Sequence, residues 1–251
     1  FEIVQSQVRT ISAPGGHLLR ITPVNRLRVV MVQTGYRRVP GGDPIDSAVV
    51  DCRFHYDGRD WYPGVELFGE GIFIDLNVAH NPQNQLNLTG ASAYNWLNAW
   101  RNPQDHLRMI QSPEDQNQLH PGFVWWHTLA HRVINALAVD SGYSSAAVRE
   151  RVFIDIDPTT GSFDGGILLY TVQPGGDGTL GGLIALVPGF ERVLSGALRN
   201  LDACSNDPLC GEEQFGPGKY NGAACYACSL VSETSCEHRN MRLDRNLLLQ
   251  N

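Results

Sequence analysis

The period of the apolar positions changes along the chain, and each change marks a different kind of element. From Arg26 to about Leu76, short β-branched and aromatic runs dominate. Leu27, Val29, Val30, Met31 and Val32 form one such run, and Gly71-Ile72-Phe73-Ile74-Asp75-Leu76 forms another. Runs of this length, separated by turn formers such as Val39-Pro40-Gly41-Gly42-Asp43-Pro44, predict antiparallel or mixed strands joined by polar loops. Between Ala79 and Gly90, Asn and Gln accumulate around Pro82 without periodicity, which predicts a surface loop between two lobes.

The spacing then becomes helical. Tyr94, Leu97, Trp100 and Leu107 predict a helix over Ser92–Met109, interrupted at Pro103. Val124, Trp125, Leu129, Val133, Leu137 and Ala138 follow a proline suited to a first turn, and predict a core helix from Pro121 to Val139. A serine-capped helix is expected over Ser144–Arg151, with Arg149, Glu150 and Arg151 at its far end, before a strand at Val152-Phe153-Ile154. Gly166–Thr171 then reads as a buried strand, Pro174–Thr179 as a loop, and Leu180–Leu201 as mainly helix. The predicted class is α/β (α+β): a mixed sheet with flanking helices and a C-terminal cysteine module. Three segments are expected: a β-rich N-terminal segment over 1–80, an α/β core over 81–203, and a zinc-binding module over 204–251.

With 251 residues, 42% hydrophobic and 18% charged, the chain can bury one substantial core. No apolar run is long enough to span a bilayer, and the start lacks a basic-then-apolar leader, so a cytoplasmic protein without membrane partners is expected. Phe1 in place of an initiator Met, on a strand-like segment, leads us to expect one piece of a longer polypeptide. The net charge of -7 argues against a self-sufficient nucleic-acid binder, since phosphate contacts need concentrated Lys and Arg. Arg26, Arg28, Arg37 and Arg38, and later Arg239, Arg242 and Arg245, are read first as solvated faces and second as phosphate contacts.

Five of the 6 cysteines fall between positions 204 and 236. Cys225-x2-Cys228 puts two sulfurs on one tight knuckle facing a common ion, and cysteines on either side can complete a tetrahedron. This predicts one structural zinc ion per chain, held by Cys210, Cys225, Cys228 and Cys236. Cys204 is either a substitute for Cys210 or a buried thiol. A disulfide framework suits small secreted chains better than a chain of this length, and a thioredoxin-like pair would not sit among three further cysteines. Cys52, standing alone, reads as a small core residue. A site closed by four thiolates has no open coordination position, so its expected role is architectural.

His127-Thr128-Leu129-Ala130-His131 places two imidazoles one helical turn apart, as on zinc-binding helices of metalloproteases, but Thr128 stands where their general base would be. Pro174–Gly182 is a glycine-rich turn without the Lys-Ser/Thr ending of a P-loop or the dinucleotide fingerprint. Convergence of His127, His131 and Asp177 in a cleft would give the alternative reading, a metal-dependent phosphodiester hydrolase. Glu70 and Asp75 read as part of a solvated acidic loop.

Several segments together resemble a known family: Trp126–His131, Tyr170-Thr171 with Asp177–Gly182, Gly222–Cys228, Ser235-Cys236 and Leu243-Asp244-Arg245. They are similar to the C-terminal zinc-associated domain of MrfA-type DNA-repair helicases and to DrmB-like subunits of DISARM anti-phage defence. Arg26-Leu27-Arg28 and Gly69–Phe73 extend the resemblance, which covers most of residues 20–246. The spacing of Cys204 and Cys210 is wider than in the helicase versions. The resemblance implies a bacterial zinc-binding accessory subunit that partners a superfamily-2 helicase and reaches DNA through that complex. It carries over no catalytic residues.

Overall fold

The computed structural model describes residues 2–3, 7–12, 16–36, 49–78, 80–110, 112–140, 144, 146–173 and 181–249. The strands are β1 (Glu2–Ile3), β2 (Arg9–Ser12), β3 (Leu18–Val32), β4 (Gly35–Tyr36), β5 (Val50–Asp51), β6 (Phe54–Tyr56), β7 (Arg59–Trp61), β8 (Gly64–Asp75), β9 (Arg149–Ile156) and β10 (Phe163–Gln173). The helices are α1 (Gly90–Arg101), α2 (Pro113–Asn117), α3 (Pro121–Asp140), α4 (Phe190–Ala197) and α5 (Asn246–Leu249). A six-stranded sheet runs β1-β3-β8-β10-β9, with β2 also paired to β3, and every pairing in it is antiparallel. Because β8 pairs with β10, the sheet crosses the expected division near residue 80.

Helix α3 positions the chemistry. Its hydrophobic side chains Val124, Trp126, Leu129, Ala130, Val133, Ile134 and Leu137 are buried, and so are His127, Thr128 and His131. A helix apolar nearly all round must be covered on all sides. Here β9 and β10 lie against one side, α4 on another and α5 beyond. The approach to the sheet is close at Gly165, where an added Cβ would stand 2.7 Å from the Phe153 carbonyl and 2.9 Å from Trp126 Nε1. Only glycine leaves room for the indole there.

From Leu198 to Arg245 the chain forms no helix or strand. It is shaped instead by side chains reaching from elsewhere. Trp96, fully buried on α1, stacks on Phe215 with ring centroids 3.5 Å apart and donates its indole N–H to Asp244. Thr128 donates its hydroxyl to the Val124 carbonyl, one turn back, and accepts the Asp244 backbone N–H at 3.0 Å.

Most predicted elements stand, with α3 and the Pro103 interruption of the α1 region where periodicity put them. Four places differ. The expected helix over Ser144–Arg151 is absent: 146–147 form a turn and β9 begins at Arg149, so Glu150 faces inward in phase with Val152, Ile154 and Ile156. The 180–201 helix breaks at Pro188 into a 3₁₀ turn, Ile184–Gly189, followed by α4. Glu70 and Asp75 are buried strand residues: Glu70 accepts the Leu183 N–H, and Asp75 is paired with Arg20. Asn84, in the expected surface loop, is buried and ties that loop to the sheet by donating to the Leu18 and Leu76 carbonyls and accepting the Leu18 N–H. Arg37, Arg38, the Val39–Pro44 turn and the Pro174–Thr179 loop with Asp177 lie outside the described residues.

His120, at the entry to α3, makes the fold acid-sensitive. Its Nε2–H donates to the Gly161 carbonyl, and its Nδ1 accepts the Gly122 N–H, so the neutral ring is fully paired. Burial drives its pKa down to about 4. The unfolded chain therefore takes up a proton first as pH falls, and stability present above about pH 6.5 is lost as pH falls towards 4. At about 1.4 kcal/mol per unit, this group contributes up to about 3 kcal/mol. Denaturant unfolding between pH 7 and 4 should show a smaller acid loss in a His120→Gln variant than in the parent; equal losses would refute the assignment.

Candidate metal centres

Cys204, Cys210, Cys225 and Cys228 bring their four sulfurs within 4.8 Å of one another. The separations are 3.4 Å for Cys204–Cys225 and 3.7 Å for both Cys210–Cys228 and Cys225–Cys228. A zinc ion with bonds of about 2.3 Å to four thiolates spans a tetrahedron whose S···S edges are about 3.8 Å. The spacing fits such an ion and is far from the ~2 Å of a disulfide. All four cysteines are free thiols.

The knuckle is built locally. The Cys225 carbonyl accepts the N–H groups of Cys228, Ser229 and Leu230, at 3.1, 2.9 and 3.1 Å, which curls the chain so that both sulfurs face the same way. Asn206 donates its side-chain N–H to Cys225 sulfur, and the Ser229 hydroxyl donates to Cys228 sulfur. Burial works against charge on Cys225, yet hydrogen bonding from Cys204 and from the Ala227 amide brings its pKa down to about 7. Burial pushes the Cys210 and Cys204 thiols upward, as expected of grouped sulfurs that share negative charge.

Cys236, expected in this set, lies elsewhere in the structure. The Glu150 N–H donates to the Ser235 carbonyl at 3.0 Å, which draws this part of the tail onto the edge of β9 and away from the knuckle. Cys236 instead joins His127, His131 and Glu150, a second group whose ligand atoms lie within 4.8 Å of one another. Cys204 takes the fourth corner of the first group. Of the residues considered for a hydrolytic centre, His127 and His131 do converge, on Glu150, while Asp177 lies outside the described residues.

The late arginines are not a solvated face. Arg242 is buried and donates to the Met109 carbonyl, and Arg245 is buried between the Leu201 carbonyl and Asp207. Arg239 alone of the three is exposed. On the early side, Arg26 pairs with Glu2 and lies over the Phe68 ring, and Arg28 pairs with Glu66. Arg132, unremarked in the sequence, braces the metal region by donating to the carbonyls of Ala197, Cys228 and Arg199 at 2.7–2.8 Å. Its three acceptors come from two distant segments, so nothing local in the sequence signals it.

Residues 129–229 match the family described as MZB, the MrfA Zn-binding domain. The chain is 32% identical over 243 residues to the DISARM protein DrmB of Bacillus paralicheniformis, across 92% of this chain and 41% of that protein. It therefore spans about two fifths of the length of this relative. Among solved structures, the DUF1998 helicase MrfA bound to DNA overlaps 82% of this chain and 20% of its own, at 14% identity and a TM-score of 0.38. No helix among the described residues is long and apolar enough to cross a membrane.

Proposed function

We propose, for a chain that is DrmB-like over most of its length and carries an MrfA-type Zn-binding domain, the role of a non-catalytic module beside a superfamily-2 helicase in bacterial anti-phage defence or DNA processing. Zinc is held by Cys204, Cys210, Cys225 and Cys228. The supporting observation is that these four sulfurs, spaced as a zinc tetrahedron requires, all lie inside the 129–229 interval, whereas Cys236 lies beyond it. An ion held by four thiolates has no open position for water, so it stabilises structure and performs no hydrolysis. The protein works in the cytoplasm.

The acidic balance of this segment leaves phosphate binding to the partner, and DNA is reached through the complex. The hydrolase alternative needs its histidines at a cleft, and both rings are wholly buried. The test is to purify the full-length protein with and without its helicase and measure DNA affinity across a salt series. The module should strengthen helicase binding to DNA while hydrolysing no nucleotide itself. Unchanged helicase affinity in its absence, or nucleotide hydrolysis by the isolated chain, would end this reading.

A further inference from the structure

His127, His131, Glu150 and Cys236 turn lone-pair atoms towards one another, with the Cys236 thiol hydrogen as the one weak donor the neutral rings and the carboxylate have among them. His127 and His131 lie one turn apart on α3, and both rings are fixed by the backbone. His127 Nδ1 is 3.1 Å from the Arg242 carbonyl, and His131 Nδ1 is 2.8 Å from the Ser229 carbonyl. A carbonyl only accepts, so each Nδ1 carries the hydrogen, and each neutral ring presents a lone pair at Nε2. Both Nε2 atoms point at the same oxygen, Glu150 Oε1, at 2.8 and 3.3 Å, and His127 Nε2 is also 3.4 Å from Cys236 sulfur.

Either a cation or shared protons must sit among these atoms, and protons shared from a neutral Glu150 carboxyl and the Cys236 thiol would still leave the second carboxyl oxygen without a partner. Protonating both Nε2 atoms instead would make two imidazoliums side by side, with rings 4.5 Å apart, in a place with no access to water. Burying such charges without solvent costs several kcal/mol each. The other oxygen, Glu150 Oε2, is buried and has no hydrogen-bond partner. A buried carboxylate oxygen left unpaired is rare and calls for a missing ligand. Cys236 is arranged as a metal-bound thiolate would be: its sulfur accepts the backbone N–H of His238 at 3.3 Å and that of Asn240 at 3.2 Å.

We propose that His127 Nε2, His131 Nε2, the Glu150 carboxylate and the Cys236 thiolate form a second metal site, distinct from the four-cysteine centre, that takes a divalent ion of the zinc class. Two imidazoles, one carboxylate and one thiolate are a donor set that zinc accepts in four-coordinate sites. The 3.3 and 3.4 Å separations match the N···O and N···S edges of a tetrahedron with bonds of about 2.0–2.3 Å. The 2.8 Å approach of His127 to Glu150 is tighter than such an edge and opens slightly when the ion enters. The Arg242 and Ser229 carbonyls supply the outer hydrogen bonds that orient metal-bound imidazoles. The site is closed, and it joins α3, β9 and the tail. Because it stands on geometry alone, it does not depend on a helicase partner or on which cysteines fill the other centre.

The test is elemental analysis of the full chain after exchange into metal-free buffer, with X-ray absorption at the zinc edge. Two zinc equivalents are expected, with a nitrogen/oxygen shell near about 2.0–2.1 Å beside the sulfur shell near about 2.3 Å. Glu150→Gln and Cys236→Ser should each lose one equivalent and keep the other. A single equivalent with a sulfur-only shell, retained in both variants, would overturn the site in favour of protons alone. If a variant fails to fold, the parent's stoichiometry and absorption spectrum decide between the same two outcomes. A single equivalent lost in Glu150→Gln but kept in Cys204→Ser would uphold this site and remove the four-cysteine centre instead.

Discussion

Replacing Cys225 with serine should release the four-cysteine ion and unfold the 202–245 tail, the largest effect of any single substitution in this chain. Cys225 is at the middle of the cluster, 3.4 Å from Cys204 and 3.7 Å from Cys228, and its carbonyl closes the knuckle. Binding energies of structural zinc, about 10–16 kcal/mol, equal or exceed the whole stability of an ordinary domain, about 5–15 kcal/mol. A tail without helix or strand has no ladder of backbone hydrogen bonds to fall back on. The expected readout is loss of a zinc equivalent together with fast hydrogen exchange and proteolysis across 202–245. Cys52→Ser is the control: Cys52 belongs to neither cluster, is only partly buried, and should change stability by less than about 1 kcal/mol. Equal behaviour of the two variants would remove the four-cysteine centre from the account.

A second large loss is expected on truncating Asp244. Its buried carboxylate accepts the Trp96 indole N–H at 3.0 Å, the Ala223 N–H at 3.2 Å and the Asn246 N–H at 3.1 Å. Burial raises its pKa against the pull of these donors. The fit is tight, since a Cβ on Gly222 would stand 2.2 Å from its Oδ2. Asp244→Ala leaves three donors without a partner and opens a cavity beside the Trp96–Phe215 stack. Unsatisfied buried groups cost about 1–3 kcal/mol each and are not fully additive, so a loss of about 3–5 kcal/mol is expected. Asp244→Asn keeps the shape but turns an N–H₂ towards a donor, and should fall between the two. Equilibrium denaturation measures both, and a loss below about 1 kcal/mol for Asp244→Ala would show that the carboxylate is not the anchor of the tail.

What the sequence disclosed depended on how local each feature is. The Cys225–Cys228 knuckle closes within four residues, and the His127–His131 pair needs only one helical turn, so both were legible. The choice between Cys204 and Cys236 was not, because it turns on Ser235 bonding to the edge of β9, 85 positions away in the chain. Glu150 was assigned to a helix end although Glu150, Val152, Ile154 and Ile156 alternate as a half-buried strand does; the flanking arginines masked that period. Arg242 and Arg245 looked solvated because nothing nearby in the sequence shows that Met109 and Leu201 present bare carbonyls to them. The sheet and α3, set by period, were largely predictable, and the polar interior beneath the tail was not.

The absence of helix and strand between Leu198 and Arg245 also bears on the order of folding. Trp96–Asp244, Arg242–Met109 and Thr128–Asp244 join residues 148, 133 and 116 positions apart. Closing loops of that size costs about 1.5 kcal/mol more than closing the 21-residue span between Cys204 and Cys225, by logarithmic scaling with length. The knuckle can therefore close early and on its own, while the rest of the tail waits for α1, α3 and β9 to be in place. On the ribosome, His127, Thr128 and His131 emerge 115, 116 and 98 residues before Arg242, Asp244 and Ser229, the tail residues whose backbone caps them.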